Sequence, residues 1–415
     1  MIKRALIAIV GSCVCGWAIW QAARTGAARA AAESAELTGE ISVADRAIRF
    51  GPNDAEAHFA RGQALQGKDD FAAAALEFEH AVRLRPRDYF LWLMLGVTRD
   101  ENQDQEGALR ALRQAVKLAP AYAPPHWQLG NLLLRMGSSD DAFTELRLAA
   151  SANPNLWPNV IDLAWGIYQG DPSAVIAVTR PQTDRARLEL AIFMARHGQP
   201  AVALNQFRQT AISAGAQSEM LISELLQTKA FNEAYEVWAV TRGLSGSSPA
   251  NAVSLIRNSG FEGPIVIDQA GFDWKTASNT PTLAMSIDVN QPYSGARSLR
   301  IEWRGDSDPT NPLLTQLVLV QRQSHYRLKF AVRSREFVSA SSPEITIKDA
   351  SDLQEKILAQ SGPLTSEQTG WREITLDFVT GPQTEAITVS LSRQGCAQSP
   401  CPAFGVLWLD SFSIQ

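Results

Sequence analysis

The sequence predicts a multidomain chain that is α first and β second: an N-terminal transmembrane helix, an α-solenoid and a C-terminal antiparallel β-sandwich. Three observations predict it. An apolar run opens the chain, a spacing of 34 residues recurs from Pro52 to Pro154, and short alternating strands broken by Gly, Pro, Asn and Ser fill the region after about residue 250.

A chain of 415 residues exceeds what one core organises. Residues up to about 240 are rich in Ala, Leu, Arg and Glu, whereas the remainder is rich in Ser, Thr, Val, Ile and Pro. The net charge of −5 contains no block of like charge, which gives no electrostatic footprint for nucleic acid and disfavours polyanions as partners.

Lys3 and Arg4 precede an apolar run from Ala5 to Trp20, extended by Ala22 and Ala23 before Arg24. The run approaches the ~20 residues a bilayer requires and outlasts the apolar part of most cleaved signals. The cationic pair favours a cytoplasmic N-terminus. Residues 1–24 are therefore expected to be a signal anchor, holding a single-pass protein in a bacterial inner membrane with the bulk of the chain periplasmic. Cleavage at Ala27-Ala28-Arg29-Ala30, or lipidation at the loose lipoprotein-like Val10-Gly11-Ser12-Cys13, are the alternatives, and both also export the chain. Cys13 and Cys15 sit in this run. Cys396 and Cys401 flank Ala-Gln-Ser-Pro, a spacing that closes a small disulfide loop in an oxidising compartment or else leaves two loop thiols. Two thiols with no nearby His disfavour zinc.

Pro52, Pro86, Pro120 and Pro154 keep the 34-residue step, as do Gly62, Gly96 and Gly130. Small residues fall at Ala74, Ala108 and Ala142, bulky ones at Phe78, Leu112 and Leu146, and small ones again at Ala81, Ala115 and Ala149. Gly in one helix and Ala in the next allow close antiparallel approach, the bulky residue fills the space between, and Pro ends the second helix. This pattern resembles the tetratricopeptide repeat. Repeats over about 55–88, 89–122 and 123–156, with a half repeat at 41–50, meet the minimum for a stable stack. After Trp157 the pattern decays into two degenerate helix pairs and a closing helix, so the solenoid is expected over 25–243.

In this repeat family the first helix of each pair forms the concave wall. The resemblance thus implies a partner groove of Phe59, Gln63, Phe90, Leu93, Val97, Trp127, Asn131, Leu134 and Arg135, suited to an apolar peptide of an envelope protein. Phe59 and Trp127 stand where carboxylate-clamping members carry basic residues, which disfavours chaperone tails. Aromatic residues at helical spacing are also ordinary core, and for any single one that reading is the stronger.

A flexible break at 243–249 sets a domain boundary near 246, with a sandwich over 250–415. Strands are expected at 298–303, 316–321, 326–332, 344–348, 373–378, 387–391 and 406–410. Asn258-Ser259-Gly260-Phe261-Glu262, Phe272-Asp273-Trp274, Tyr293-Ser294-Gly295-Ala296-Arg297-Ser298-Leu299, Tyr326-Arg327-Leu328-Lys329-Phe330, Gly370-Trp371 and Gly405-Val406-Leu407-Trp408-Leu409-Asp410 follow in order. The series resembles the jelly-roll carbohydrate-binding modules appended to xylanases and related glycoside hydrolases.

That resemblance implies a structural calcium ion held by Glu262 and Asp410, against the plainer reading of solvated or hydrogen-bonded carboxylates. Sugar binding needs exposed rings and polar side chains. Trp303, Tyr326 and Phe330 share strand parity with Leu and Val neighbours and read as core. Trp408 has the opposite parity to Leu407 and Leu409, and with Arg300, Arg327, Lys329 and Arg393 it forms the expected glycan face, competing with an ordinary solvated sheet surface.

No catalytic constellation is visible. The histidines at 58, 80, 126, 197 and 325 are scattered, and those at repeat positions read as satisfied imidazoles. Asp69-Asp70 and Asp140-Asp141 fall where helix N-caps are expected. No nucleophile elbow, phosphate loop, dinucleotide fingerprint or zinc-protease motif occurs. The sequence thus predicts a membrane-anchored, non-enzymatic envelope scaffold whose repeats hold a protein and whose sandwich holds a polysaccharide, by analogy in surface polysaccharide synthesis or export. The rival readings are a pure protein scaffold and a glycan-modifying enzyme.

Overall fold

The computed structural model describes residues 2–211, 214–244, 256–265, 271–306, 311–365, 370–396 and 400–415, with side chains from residue 9 onward. The chain divides into two compact units, Met1–Arg180 and Pro181–Gln415.

The first unit holds α1 (Ile2–Thr38), α2 (Ile41–Phe50), α3 (Ala55–Gln66), α4 (Phe71–Leu84), α5 (Tyr89–Glu101), α6 (Gln105–Leu118), α7 (Ala123–Arg135), α8 (Ser139–Ala152), a 3-10 turn at Pro154–Leu156, α9 (Trp157–Ile167) and α10 (Pro172–Thr179). Asp54, Asp70, Asp88 and Asp104 begin α3 to α6, each accepting a backbone N–H of the first turn at 2.9 to 3.1 Å. Asp140 and Asp141 lie one step further in, within the first turn of α8, where a carboxylate meets the positive end of the helix. The repeat glycines do what their spacing predicts. A Cβ on Gly62 would stand 2.7 Å from the Phe78 ring, one on Gly96 2.6 Å from Leu112, and one on Gly130 2.7 Å from Leu146.

The long α1 runs past the expected anchor segment. Its second half packs Ala28, Ala32 and Ala35 against α2 and α3 at near-zero exposure, so it is part of the repeat array. Among the described residues no helix is long and apolar enough to cross a membrane, and the transmembrane segment expected over 1–24 is not supported. Met1 and the side chains of 2–8, where that run begins, lie outside the described set. The run's later residues, Ile9, Val14, Trp17 and Trp20 among them, are exposed.

The second unit begins with α11 (Asp184–Arg196), α12 (Pro200–Arg208), α13 (Ala216–Gln227) and α14 (Phe231–Thr241). With α9 and α10 this makes six helices after the regular repeats among the described residues, where five were expected. The strands are β1 (Lys275–Thr276), β2 (Leu283–Asp288), β3 (Ser298–Asp306), β4 (Leu314–Leu319), β5 (His325–Ser339), β6 (Pro343–Asp349), β7 (Ile357–Gln360), β8 (Arg372–Val379), β9 (Ala386–Arg393) and β10 (Pro402–Ile414). They pair antiparallel in two five-stranded sheets, ordered β1-β4-β9-β6-β7 and β2-β3-β10-β5-β8. Trp274, Trp303, Phe330, Ile347, Val389 and Leu407 fill the core between them.

The change from helices to strands does not coincide with the division between units. Residues 245–249 of the expected linker lie outside the described set. On either side of it, α14 packs onto the sandwich: Trp238 is fully buried, 5.5 Å from the Phe272 ring, and Tyr235 meets the same ring edge-on at 5.1 Å. Gly271 has φ +137°, and a Cβ there would fall 2.3 Å from the Trp238 ring. Lys229 donates to the Ser351 carbonyl at 3.1 Å, and Asn232 to Glu385 at 3.4 Å.

The repeats share a further device. A ring N–H six residues after each of the first three repeat prolines caps that proline's carbonyl: His58 to Pro52 at 3.0 Å, Trp92 to Pro86 at 2.9 Å and His126 to Pro120 at 2.9 Å. In the histidine versions the other ring nitrogen faces a carboxylate, Glu77 at 2.7 Å and Glu145 at 2.5 Å. The Glu77 bond raises the His58 pKa above its ordinary 6.5, against the opposing effect of burial. Burial pushes the Glu77 carboxyl up, but the bonds from His58 and Arg61 outweigh it and hold the carboxyl below its usual range. Below pH ~6.5 His58 is charged in folded and unfolded chains alike and its contribution is whole. As pH rises through the folded value the native state gives up its extra proton and that contribution disappears. The difference in urea midpoint between wild type and His58→Gln should therefore shrink from pH 6 to pH 9, and a constant difference would mean that His58 is neutral when folded.

Candidate functional site

The outer face of the second sheet is built by strand parity. Leu407 and Leu409 of β10 point into the core, which turns Trp408 outward, and the antiparallel register sets Arg300 of β3 and Arg333 of β5 on either side of it in one cross-strand row. Arg335 follows in the adjacent row, opposite Val406. The three guanidinium carbons lie 5.9, 5.1 and 5.5 Å from the Trp408 ring centre for Arg300, Arg333 and Arg335. Trp408 is only 6 % exposed beneath them, and its indole N–H donates to Asp288 at 2.7 Å. The ring is a fixed support for cations more than an open stacking surface.

Two carboxylates sit within this array. Glu302 accepts two bonds from Arg304 at 3.0 Å and one ion pair from Arg300 at 2.7 Å, and these, Arg304 first, bring its pKa down to about 2. Asp288 is held below the usual carboxylate range by the Asn290 backbone N–H first and then by Trp408, Asn290's side chain and Arg300, against the opposing effect of burial. The other expected members divide. Arg327 lies further along β5, paired with Asp377 at 2.7 Å, and Lys329 lies between them on the same face. Arg393 belongs to the first sheet, is 4 % exposed, and donates to Ser339 and the Cys401 carbonyl. It is not part of the face because β9 pairs with β4 and β6 instead of β10. Arg333 and Arg335 were the residues missed. The strand expected to stop at 332 runs to Ser339, and the alternation Arg327, Lys329, Arg333, Arg335 carried the signal.

The first sheet has a polar outer row. Thr346 stands opposite Ser390, which stands opposite Thr315, and Glu344 is buried at 6 % while accepting from Gln394 at 3.0 Å and from Gln360. Next to it a hollow of about 250 Å³ opens against α13 and α14, lined by Leu226, Phe231, Asp273, Lys275, Thr315 and Thr388.

Glu262 and Asp410 close on one loop. Glu262 accepts from the Ala296 and Arg297 amides at 2.7 and 3.2 Å, and the fully buried Asp410 from the Tyr293, Ser294 and Ser411 amides at 2.8, 3.1 and 2.6 Å. Gly295, at φ +67°, is required there because a Cβ would lie 2.1 Å from the Glu262 carboxylate. As hard oxygen donors they fit calcium in kind. No group of three or more His, Cys, Asp or Glu able to hold a metal occurs among the described residues, so a calcium ion here would need backbone carbonyls and water as its remaining donors. Cys396 and Cys401 are joined, with their Cα atoms 5.7 Å apart, and Cys13 and Cys15 are exposed free thiols.

In the first unit the expected groove residues sort by burial. Phe59 and Leu93 are 7 % exposed and belong to core clusters, with Val97 and Leu134 packed at their edge. Phe90 is 42 % exposed and touches Phe59 at 5.6 Å between ring centres. Trp127, Gln63 and Asn131 are half-buried, Asn131 donating to the Trp127 carbonyl at 3.0 Å. Arg135 is exposed and paired with Asp100. Tyr89 continues the aromatic run from Phe90 to Tyr122, 5.3 Å away.

Comparison with known families agrees with these two architectures. A profile described as a carbohydrate binding domain matches residues 253–398, and a tetratricopeptide repeat profile matches 55–88 and 91–122. The chain therefore carries tetratricopeptide repeats and a carbohydrate-binding-type sandwich. No curated protein matches the sequence. Among solved structures, MamA 41-end from Desulfovibrio magneticus RS-1 is similar at 23 % identity, TM-score 0.27, over 28 % of this chain and 65 % of its own. The pilF protein of Pseudomonas aeruginosa is similar at 18 % identity, TM-score 0.32, over 54 % of this chain and 95 % of its own. This chain spans 65 % of the length of the first such structures.

Proposed function

We propose that the protein is a non-enzymatic binding protein of the bacterial envelope that holds a protein partner on its repeats and a polysaccharide on its sandwich. The observation that carries the reading is the carbohydrate-binding profile falling on a sandwich whose outer face gathers polar side chains around Trp408. The repeats supply the second surface, with Phe90 and Tyr122 exposed among otherwise packed rings. The Cys396–Cys401 bridge supports an oxidising compartment. By analogy, we extend the proposal to a role in surface polysaccharide synthesis or export, for which the pairing of the two surfaces is the support.

Affinity electrophoresis of the full chain through gels containing neutral and acidic polysaccharides tests the glycan half. Retardation by at least one of them is expected. Unchanged mobility in every gel would leave a pure protein scaffold. A calcium ion in this reading would take Glu262 and Asp410 as side-chain donors, with backbone carbonyls and water completing six to eight oxygens. Chelation should then lower the thermal midpoint of the sandwich and added calcium restore it. An identical midpoint in both would leave the amide hydrogen bonds as the whole of that clasp.

A further inference from the structure

The charges around Trp408 do not balance. Among the described residues Arg300 and Arg304 both pair with Glu302, Asp288 interacts with Arg300, and Arg333 and Arg335 form no ion pair. Arg333 donates to a neutral acceptor, Gln291, at 2.7 Å, and its Nε is buried without a hydrogen-bond partner. Arg335 is exposed and forms no ion pair among the described residues, although its guanidinium is drawn over the same ring. Two like charges held over one indole repel each other, and the ring quadrupole offsets that cost only in part. An anion placed between them would relieve it.

The neighbouring row supplies a different chemistry. The register with β5 shifts at a β-bulge between Phe404 and Val406, where the single Gly405, φ +117°, stands opposite two β5 residues, Glu336 and Phe337. Gly405 is required there, because a Cβ would lie 2.6 Å from the Glu336 carbonyl. The bulge leaves Phe404 50 % exposed beside Val338, 69 % exposed. A flat apolar ring next to unpaired guanidiniums suits a ligand with one C–H face and one acid group per unit. A sugar acid has both. The net charge of −5 disfavours polyanions in general, so recognition of an acid group falls to these few guanidiniums and to the apolar ring beside them.

We infer that the outer face of the second sheet binds an acidic polysaccharide, its carboxylates taken by Arg333 and Arg335 over Trp408 and its sugar ring laid on Phe404. The inference rests on the glycan-binding reading and narrows it to one face and one class of sugar. The test is affinity electrophoresis of the full chain in alginate, a polyuronate, and in neutral xylan and dextran. Wild type should be retarded by alginate, and Arg335→Gln, a change at an exposed side chain, should weaken that retardation about tenfold. Arg333→Gln with Arg335→Gln should abolish it. Arg110→Gln with Arg113→Gln, which removes two exposed charges from α6, should leave it unchanged. Equal loss in that control would show a general field effect and overturn the site. Retardation by xylan or dextran but not alginate would overturn the acidic specificity while leaving the glycan-binding reading intact, and retardation by none of them would end both.

Discussion

The second unit is organised by one close approach, the Trp238 ring against the backbone of Gly271. No side chain fits between them, since a Cβ would fall 2.3 Å from the indole. The largest side chain of α14 is removed from water entirely, and Phe272 and Tyr235 pack around it, each with its ring centre 5.5 Å away. The guanidinium of Arg257 covers the ring at 5.4 Å, and Arg242 approaches Asp273 at 3.7 Å. The residues after Gly271 lead into Trp274 and β1, so the same contact sets where the first sheet begins. The hollow between α13, α14 and that sheet exists because the helices are held there.

In the sandwich a smaller constraint has a similar reach. Leu407 and Leu409 must face inward, so Trp408 must face out, and antiparallel register then decides which arginines flank it. A slip of one residue in β10 would bury the indole and disperse the guanidiniums. Asp410, one step beyond Leu409, is drawn under the 293–297 loop in the same way, and that loop also receives Glu262 from the start of the domain. The face and the clasp are consequences of a single strand's alternation.

Much of this was legible in the sequence because it is periodic. The 34-residue step locates the Gly62–Phe78, Gly96–Leu112 and Gly130–Leu146 contacts, and alternation locates seven of the strands. What escaped is local or long-range. Lys275–Thr276 and Ile357–Gln360 are too short to show a period, and Leu283–Asp288 mixes half-buried residues on both faces. Arg333 and Arg335 lay beyond the point where apolar alternation ends in β5. Arg393 shares a polar pattern with the face but not its sheet, which only pairing order reveals. Trp238 looks like any aromatic on an amphipathic helix until Gly271 is brought against it from over thirty residues away. The opening apolar run was read by hydropathy alone, whereas α1 continues through Ala28, Ala32 and Ala35 into contacts with the repeats.

If Trp238 joins helices and strands into one body, the amides of α14 are protected by the sandwich as well as by their own helix. Hydrogen exchange of the full chain, followed by mass spectrometry, reads this segment by segment. Trp238→Ala should strip protection from α13 and α14 while β3 and β10 keep theirs. Unchanged protection in α13 and α14 would show that those helices stand without the sandwich, and would contradict the account.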